Sequence, residues 1–146
     1  MKVLVAMSGG VDSAVCAHLI KKQHHAIGVT MKLHDESDNL IYGENSCCSN
    51  QDIADAKSVC ELIGIPHEVH DFGADFRDCV ISDFISCYKC GKTPNPCVVC
   101  NRKIKFEALL KIALERGFDA IATGHYARIE RDENGRYLLK KALDPW

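Results

Sequence analysis

Short apolar runs alternate with helical periodicities along the whole chain. Residues 2–6 read as a buried strand, and a helix is expected over 12–22, with Val15, Leu19 and Ile20 near one face. Residues 26–31 read as a second strand, followed by a long polar loop over 32–48. Ser49, Asn50, Gln51 and Asp52 resemble a capping box, which starts a helix that Gly64 ends after Ile63. A third strand is expected at 67–72 and a helix at roughly 75–88. The stretch 89–100 holds two prolines and a glycine and reads as a loop. Residues 101–116 read as a helix stopped by Gly117, and 119–123 as a fourth strand of parallel type. Two further strands, 126–130 and 136–140, flank Asp132-Glu133-Asn134-Gly135 and predict a hairpin.

Repeated βα units with short apolar strands predict an α/β fold, a parallel sheet with helices on both faces, plus a C-terminal β-hairpin. Such sheets bind ligands beyond the carboxyl ends of their strands. Three segments share that end: residues 8–13, the loop 32–48, and Thr123-Gly124-His125. One site is therefore expected.

Composition narrows the setting. At 146 residues the chain suits one domain with its own core. The apolar run at the N-terminus is too short for a signal peptide, and no stretch is long enough to cross a bilayer. A cytoplasmic location without a membrane partner is expected. Nine cysteines, an odd number, then argue for core filler, metal ligands or catalytic thiols rather than a disulfide framework. The formal charge of −2 does not advertise a nucleic-acid partner.

Ser8-Gly9-Gly10-Val11-Asp12-Ser13 lies between the first strand and the first helix. Its glycines and the N–H groups of the first helical turn can converge on an anion at the positive helix end, with the Ser8 and Ser13 hydroxyls as added donors. No Gly-Lys-Ser/Thr is present, so this is not a Walker loop, and the third glycine of a dinucleotide fingerprint is missing. A backbone nest that holds pyrophosphate as a leaving group suits attack at the α-phosphorus of ATP. Asp12 is placed either to hold Mg²⁺ or to cap the helix. The plain alternative is an ordinary glycine turn.

Cys87-x-x-Cys90 and Cys97-x-x-Cys100 have metal-site spacing, compatible with zinc or an iron–sulfur cluster. Cys16, Cys60 and Cys79 fall in helical patterns and read as small buried hydrophobes, while Cys47 and Cys48 lie on the loop near the expected site. From Phe84 to Phe106 there is no acidic residue, yet Lys89, Lys92, Arg102, Lys103 and Lys105 are basic, with Tyr88 and Phe106 as aromatic neighbours. That segment reads either as an RNA-steering surface or as a solvated basic helix start.

Ser8–Ser13 matches the SGGxDS signature of the PP-loop ATP pyrophosphatases, which are adenine nucleotide alpha hydrolase-like. Four segments together resemble the tRNA-specific 2-thiouridylases of that group: residues 6–13; Val29-Thr30-Met31-Lys32; Thr93-Pro94-Asn95-Pro96 leading to Cys100-Asn101-Arg102-Lys103-Ile104-Lys105-Phe106; and Ala122-Thr123-Gly124-His125-Tyr126. The first motif is superfamily-wide and the third is far more family-specific. The resemblance implies ATP contacts from Ala6, Met7, Ser8, Gly9, Gly10, Val11, Asp12, Ser13, Met31 and Gly124, with Mg²⁺. It implies Cys100 as the catalytic thiol, and Asn95, Pro96 and Cys97 as the region that meets the target base. Cys100 also precedes the expected helix at Asn101, where the dipole and Arg102 and Lys103 favour thiolate. Arg102, Lys103, Lys105 and His125 are candidate tRNA or phosphate contacts, His125 being equally readable as structural. Cys97 stands where the familiar motif has Asp, and the resulting CxxC makes Cys97 and Cys100 candidate ligands of a [4Fe-4S] cluster.

The activity so implied is 2-thiolation of a tRNA wobble uridine. ATP adenylates the C2 oxygen, and sulfur then displaces AMP. The sulfur is either a persulfide passed to Cys100 by a donor or relay protein, or a sulfide carried by a cluster. Two alternatives compete: a PP-loop adenylating enzyme acting on a small molecule, and a non-catalytic RNA module with the four cysteines closing a zinc site. The resembled family is longer, with a distal cysteine and later tRNA-binding parts. Residues 1–146 are thus expected to be its ATP-binding and adenylation domain, truncated, binding nucleotide but weak or inactive in thiolation.

Overall fold

The computed structural model describes residues 1–34 and 49–143. Most of the expected loop 32–48, including Cys47 and Cys48, lies outside the described residues.

Four strands, β1 (Lys2–Ala6), β2 (His25–Lys32), β3 (His67–Asp71) and β4 (Ala120–Ala122), form one parallel sheet in the order β3-β2-β1-β4. Central β1 pairs Val5 with Gly28 of β2 on one side and with Ala122 of β4 on the other. Its alternation sorts the core into two faces, because successive side chains of a strand point oppositely. Val3, Val5 and Met7 join Ala17, Ala56 and Cys60 on one face. Leu4 joins Val29, Met31, Phe72, Cys100, Ile104 and Leu109 on the other.

The first face is covered by α1 (Val11–Lys21) and α2 (Asn50–Ile63). In α1 the buried positions are the small residues Ser13 and Ala17, whereas Val15 and Leu19 are about half exposed. Of the three apolar positions expected near one face, Ile20 packs against this cluster while Val15 and Leu19 point outward, and small side chains let the helix approach the sheet. The capping box of α2 is present: Ser49 Oγ accepts from the Asp52 N–H, and an Asp52 carboxylate oxygen accepts from the Ser49 N–H. Gly64 ends the helix in the left-handed conformation, at φ 68°.

The second face is covered by two composite helices. α3 (Gly73–Phe76) runs through a π-helical stretch, Arg77–Ile81, into α4 (Ser82–Lys89). α5 (Pro96–Cys100) runs through a second π-helical stretch, Asn101–Ala108, into α6 (Leu109–Glu115). The helix thus begins five residues before the expected start at 101. The reason is local: the Asn95 side chain caps the Val98 N–H at 3.2 Å, and Pro96 follows at a first-turn position where its missing N–H costs nothing. A proline read as a loop signal is a helix starter here. Strands β5 (Ala127–Arg131) and β6 (Tyr137–Lys141) form the expected antiparallel hairpin, with Ile129 opposite Leu139. No described helix is long and apolar enough to cross a membrane.

Candidate active site

The loop after β1 closes on itself. Ser13, only 3% exposed, donates its hydroxyl hydrogen to the Gly10 carbonyl at 2.8 Å. Its oxygen accepts from the Ser8 N–H at 3.2 Å and from the Ser8 hydroxyl at 3.3 Å. Ser13 therefore works as a staple that shapes the loop, its own proton already committed. Gly9 takes φ 80°, a conformation costly for any side chain, and a Cβ there would stand 2.7 Å from the Asp52 carbonyl oxygen. The loop is bedded on the first turn of α2.

The two helix starts differ in one respect. α2 closes its N-terminus with its own side chains. At α1 the cap residue is Gly10, which supplies no side-chain hydrogen bond, and Val11 and Asp12 are exposed. First-turn N–H groups without a side-chain cap at the positive end of an 11-residue helix suit phosphate oxygens. The Ser8–Ser13 segment therefore fits the triphosphate of a nucleotide.

The segment between β4 and β5 lies directly on this helix start. A Cβ on Gly124 would fall 2.7 Å from the Asp12 carbonyl carbon and 2.8 Å from the Ser13 nitrogen. Thus 8–13 and 123–126 meet at one end of the sheet, as expected from the topology. Tyr126 donates its hydroxyl to Asp12 Oδ1 at 3.1 Å. Because that oxygen accepts one hydrogen bond and a carboxylate has a second oxygen, Asp12 can also meet a phosphate-bound Mg²⁺. Beside them opens a cleft of ≈ 630 Å³, lined by Val11, Val15, Leu19 and Tyr126 among others.

His125 links this end to the cysteine helix. Its Nδ1 is 2.9 Å from the Thr123 hydroxyl, and its ring lies 5.1 Å from that of Phe106. Partial burial, and then the nearby Lys105 ammonium, lower its pKa, so the imidazole is held toward its neutral form. Lys103 pairs with Glu107 at 2.9 Å, which offsets part of the positive segment, while Arg102 stays exposed.

The cysteines separate in environment. Cys100 is 7% exposed, in the core cluster that also holds Met31. It lies inside the composite helix, at the end of α5 and past the first turn, which is where the dipole acts most. That corrects the expected source of thiolate stabilisation at Cys100. Cys97, three residues earlier, is exposed, as are Asn95 and Cys90. Met31 is 5% exposed, so its thioether is packed in the core. Cys87 approaches Asp83 at 3.8 Å, and burial followed by that carboxylate raises its pKa. Burial pushes the Cys60 thiol up to about 11. Among the described residues no group of three or more His, Cys, Asp or Glu side chains is arranged to hold a metal. Neither the four-cysteine zinc site nor a cluster on Cys97 and Cys100 with a third donor is therefore formed within them.

Two relationships escaped the sequence. The Tyr126–Asp12 bond spans 114 positions, and only the inclusion of Tyr126 in the TGHY segment pointed to it. The bedding of Gly9 on Asp52 joins two motifs that looked independent.

Comparison with known proteins gives the chain its relatives. The chain is 50% identical over 145 residues to the tRNA-specific 2-thiouridylase MnmA of Renibacterium salmoninarum, covering 99% of this chain and 38% of that protein. It is 51% identical over 144 residues to the protein of the same name from Clostridioides difficile, covering 97% and 40%. The chain thus spans about two-fifths of the length of these curated relatives. Among solved structures, a "predicted subunit of tRNA methyltransferase" from Methanocaldococcus jannaschii superposes with a TM-score of 0.56 at 18% identity, over 86% of this chain and 55% of that one. The NH3-dependent NAD synthetase of Campylobacter jejuni gives 0.50 at 15%, over 82% and 44%. These likenesses show a shared α/β fold. The family model described as the tRNA methyl transferase HUP domain matches residues 1–146, and the chain belongs to that family.

Proposed function

We propose that residues 1–146 form the ATP-binding and adenylating part of a tRNA 2-thiouridylase, a sulfurtransferase acting on a wobble uridine. The observation that carries this reading is the start of α1, which lacks a side-chain cap and is framed by Gly9 and Gly124. Its N–H groups hold the β- and γ-phosphates, and the pyrophosphate so held is a leaving group when the uridine C2 oxygen attacks the α-phosphorus. Asp12 is the residue that would hold Mg²⁺, which would neutralise charge on the phosphates. No lysine is needed, because the terminal phosphoryl group is not the one transferred.

Cys100 is the thiol proposed for the sulfur step. Its low exposure protects a persulfide from water, and the segment Asn95, Pro96 and Cys97 one turn earlier, with Asn95 and Cys97 exposed, is where the base arrives. Arg102 and Lys105 are the cations proposed to meet the phosphate backbone, with His125, held toward its neutral form, as a hydrogen-bonding partner. A sulfur-donor or relay protein is the proposed partner. The run from Phe84 to Phe106, with five basic residues and no carboxylate, supports an RNA acceptor, whose extended phosphate backbone can use several cations at once.

The test is pyrophosphate release from ATP by the chain with a tRNA that carries a wobble uridine. Release above the tRNA-free control, absent with small-molecule acceptors, supports the reading. A chain that binds ATP and tRNA yet releases no pyrophosphate contradicts it. Thiolation itself is expected to be weak or undetectable with these residues alone, and full turnover with sulfide refutes that expectation.

A further inference from the structure

Asp12 poses an electrostatic problem that the position of Tyr126 solves. A carboxylate two residues after the cap residue, in the first turn of α1, lies beside the N–H groups proposed to hold phosphate. Folded back onto them it would occupy the anion site and repel a triphosphate. In the structure the Asp12 carboxylate is instead drawn to the Tyr126 hydroxyl, Oδ1 accepting at 3.1 Å.

This contact is not a chance pairing of mobile surface groups. The backbone of Gly124, two residues before Tyr126, abuts the Asp12 carbonyl and the Ser13 nitrogen so closely that no Cβ fits. The distance between strap and helix is thereby set by main chain against main chain. Meanwhile the Tyr126 side chain is 67% exposed, so its ring contributes little to the core. The polar end of the residue is what the site uses.

We infer that Tyr126 is a positioning residue, which holds the Asp12 carboxylate clear of the phosphate nest and aimed at a divalent cation on the nucleotide. The inference rests on the nucleotide reading above and adds to it a requirement: ATP affinity depends on Mg²⁺ through Tyr126. Asp12 without a cation opposes the triphosphate, and Asp12 with one binds it. Tyr126 sets the geometry in which the second case applies.

The test is ATP affinity by calorimetry, with excess Mg²⁺ and with EDTA, for the 146-residue chain and its Tyr126→Phe, Asp12→Asn and doubly substituted forms. Phenylalanine keeps the ring, and circular dichroism checks the fold. The unsubstituted chain is expected to bind ATP about tenfold more tightly with Mg²⁺, a ratio in the range of one charge-assisted hydrogen bond or ion contact. Tyr126→Phe should remove most of that ratio by weakening the Mg²⁺ arm. Asp12→Asn should remove it as well, and the double substitution should add nothing, as expected for groups acting through one another. An unchanged Mg²⁺ ratio in a folded Tyr126→Phe chain overturns the inference while leaving the nucleotide reading intact. Failure of the unsubstituted chain to bind ATP in either condition overturns the nucleotide reading itself.

Discussion

A Cβ built on Gly124 would stand 2.7 Å from the carbonyl carbon of Asp12, so the strap after β4 and the first turn of α1 touch backbone to backbone. Gly124→Ala must push these segments apart. Overpacking of this kind costs about 1–3 kcal/mol. The substitution should lower thermal stability and weaken ATP binding by tenfold or more. Gly10→Ala is the control: φ there is −84°, and its Cβ would meet only Ser8 Oγ at 3.6 Å. Thermal melts should place it within about 1 kcal/mol of the parent. Equal tolerance of both alanines would contradict the close-approach account.

Ser49 acts at a distance on the phosphate loop. Its hydroxyl and the Asp52 carboxylate close the start of α2, and Gly9 is bedded on Asp52. Ser49→Ala should cost about 1 kcal/mol of stability. It should also weaken ATP binding severalfold, because the loop loses its rigid floor. Chemical denaturation and calorimetry on the same preparation measure both effects.

Thiol accessibility orders the cysteines. Cys90 and Cys97 are exposed, whereas Cys100 and Cys60 are buried and the Cys60 thiol is pushed up to about 11. A thiolate-directed alkylating reagent at neutral pH should modify Cys90 and Cys97 well before Cys100, and Cys60 last. Mass spectrometry of timed digests reads the order. Modification of Cys100 ahead of Cys97 would mean that the helix start is open in solution.

An ion pair far along the chain gives a pH signature. Arg116 donates to both carboxylate oxygens of Glu68, at 2.6 and 2.9 Å, and His70 lies 3.0 Å from the same carboxylate. The Arg116 hydrogen bond, and then that of His70, hold Glu68 at about 2 against a usual 4.5. A folded pKa below the unfolded one stabilises the fold at pH values above 4.5, and that contribution is lost as pH falls toward 2. The group is partly exposed, so the effect is modest. Melting temperature should fall less steeply over this window in Glu68→Gln than in the parent. Identical slopes would remove the assignment.

Features encoded within a few residues were legible in the sequence. The Ser49–Asp52 box, the Gly64 and Gly117 stops and the short apolar strands each write a local rule, and apart from the helix start at Pro96 the elements appear within about two residues of their expected ends. Pro96 misled because one residue type both breaks and starts helices, and the deciding partner was the Asn95 side chain. Apolar spacing put Val15, Leu19 and Ile20 near one face without saying what covers each; Ala17 faces the sheet, Ile20 packs beside it, and Val15 and Leu19 are half exposed. At the site, the loop was recognisable from its own residues. The contacts of Gly9 with Asp52 and of Asp12 with Tyr126 depend on chain crossings that no local pattern records.

The central claim is that the start of α1 binds ATP through its phosphates. Isothermal titration of the 146-residue chain with ATP, pyrophosphate and AMP in Mg²⁺ tests it most directly. The account predicts saturable ATP binding, competition by pyrophosphate, and much weaker binding of AMP, which lacks the β- and γ-phosphates. A folded chain that binds AMP as tightly as ATP, or binds none of the three, would contradict it.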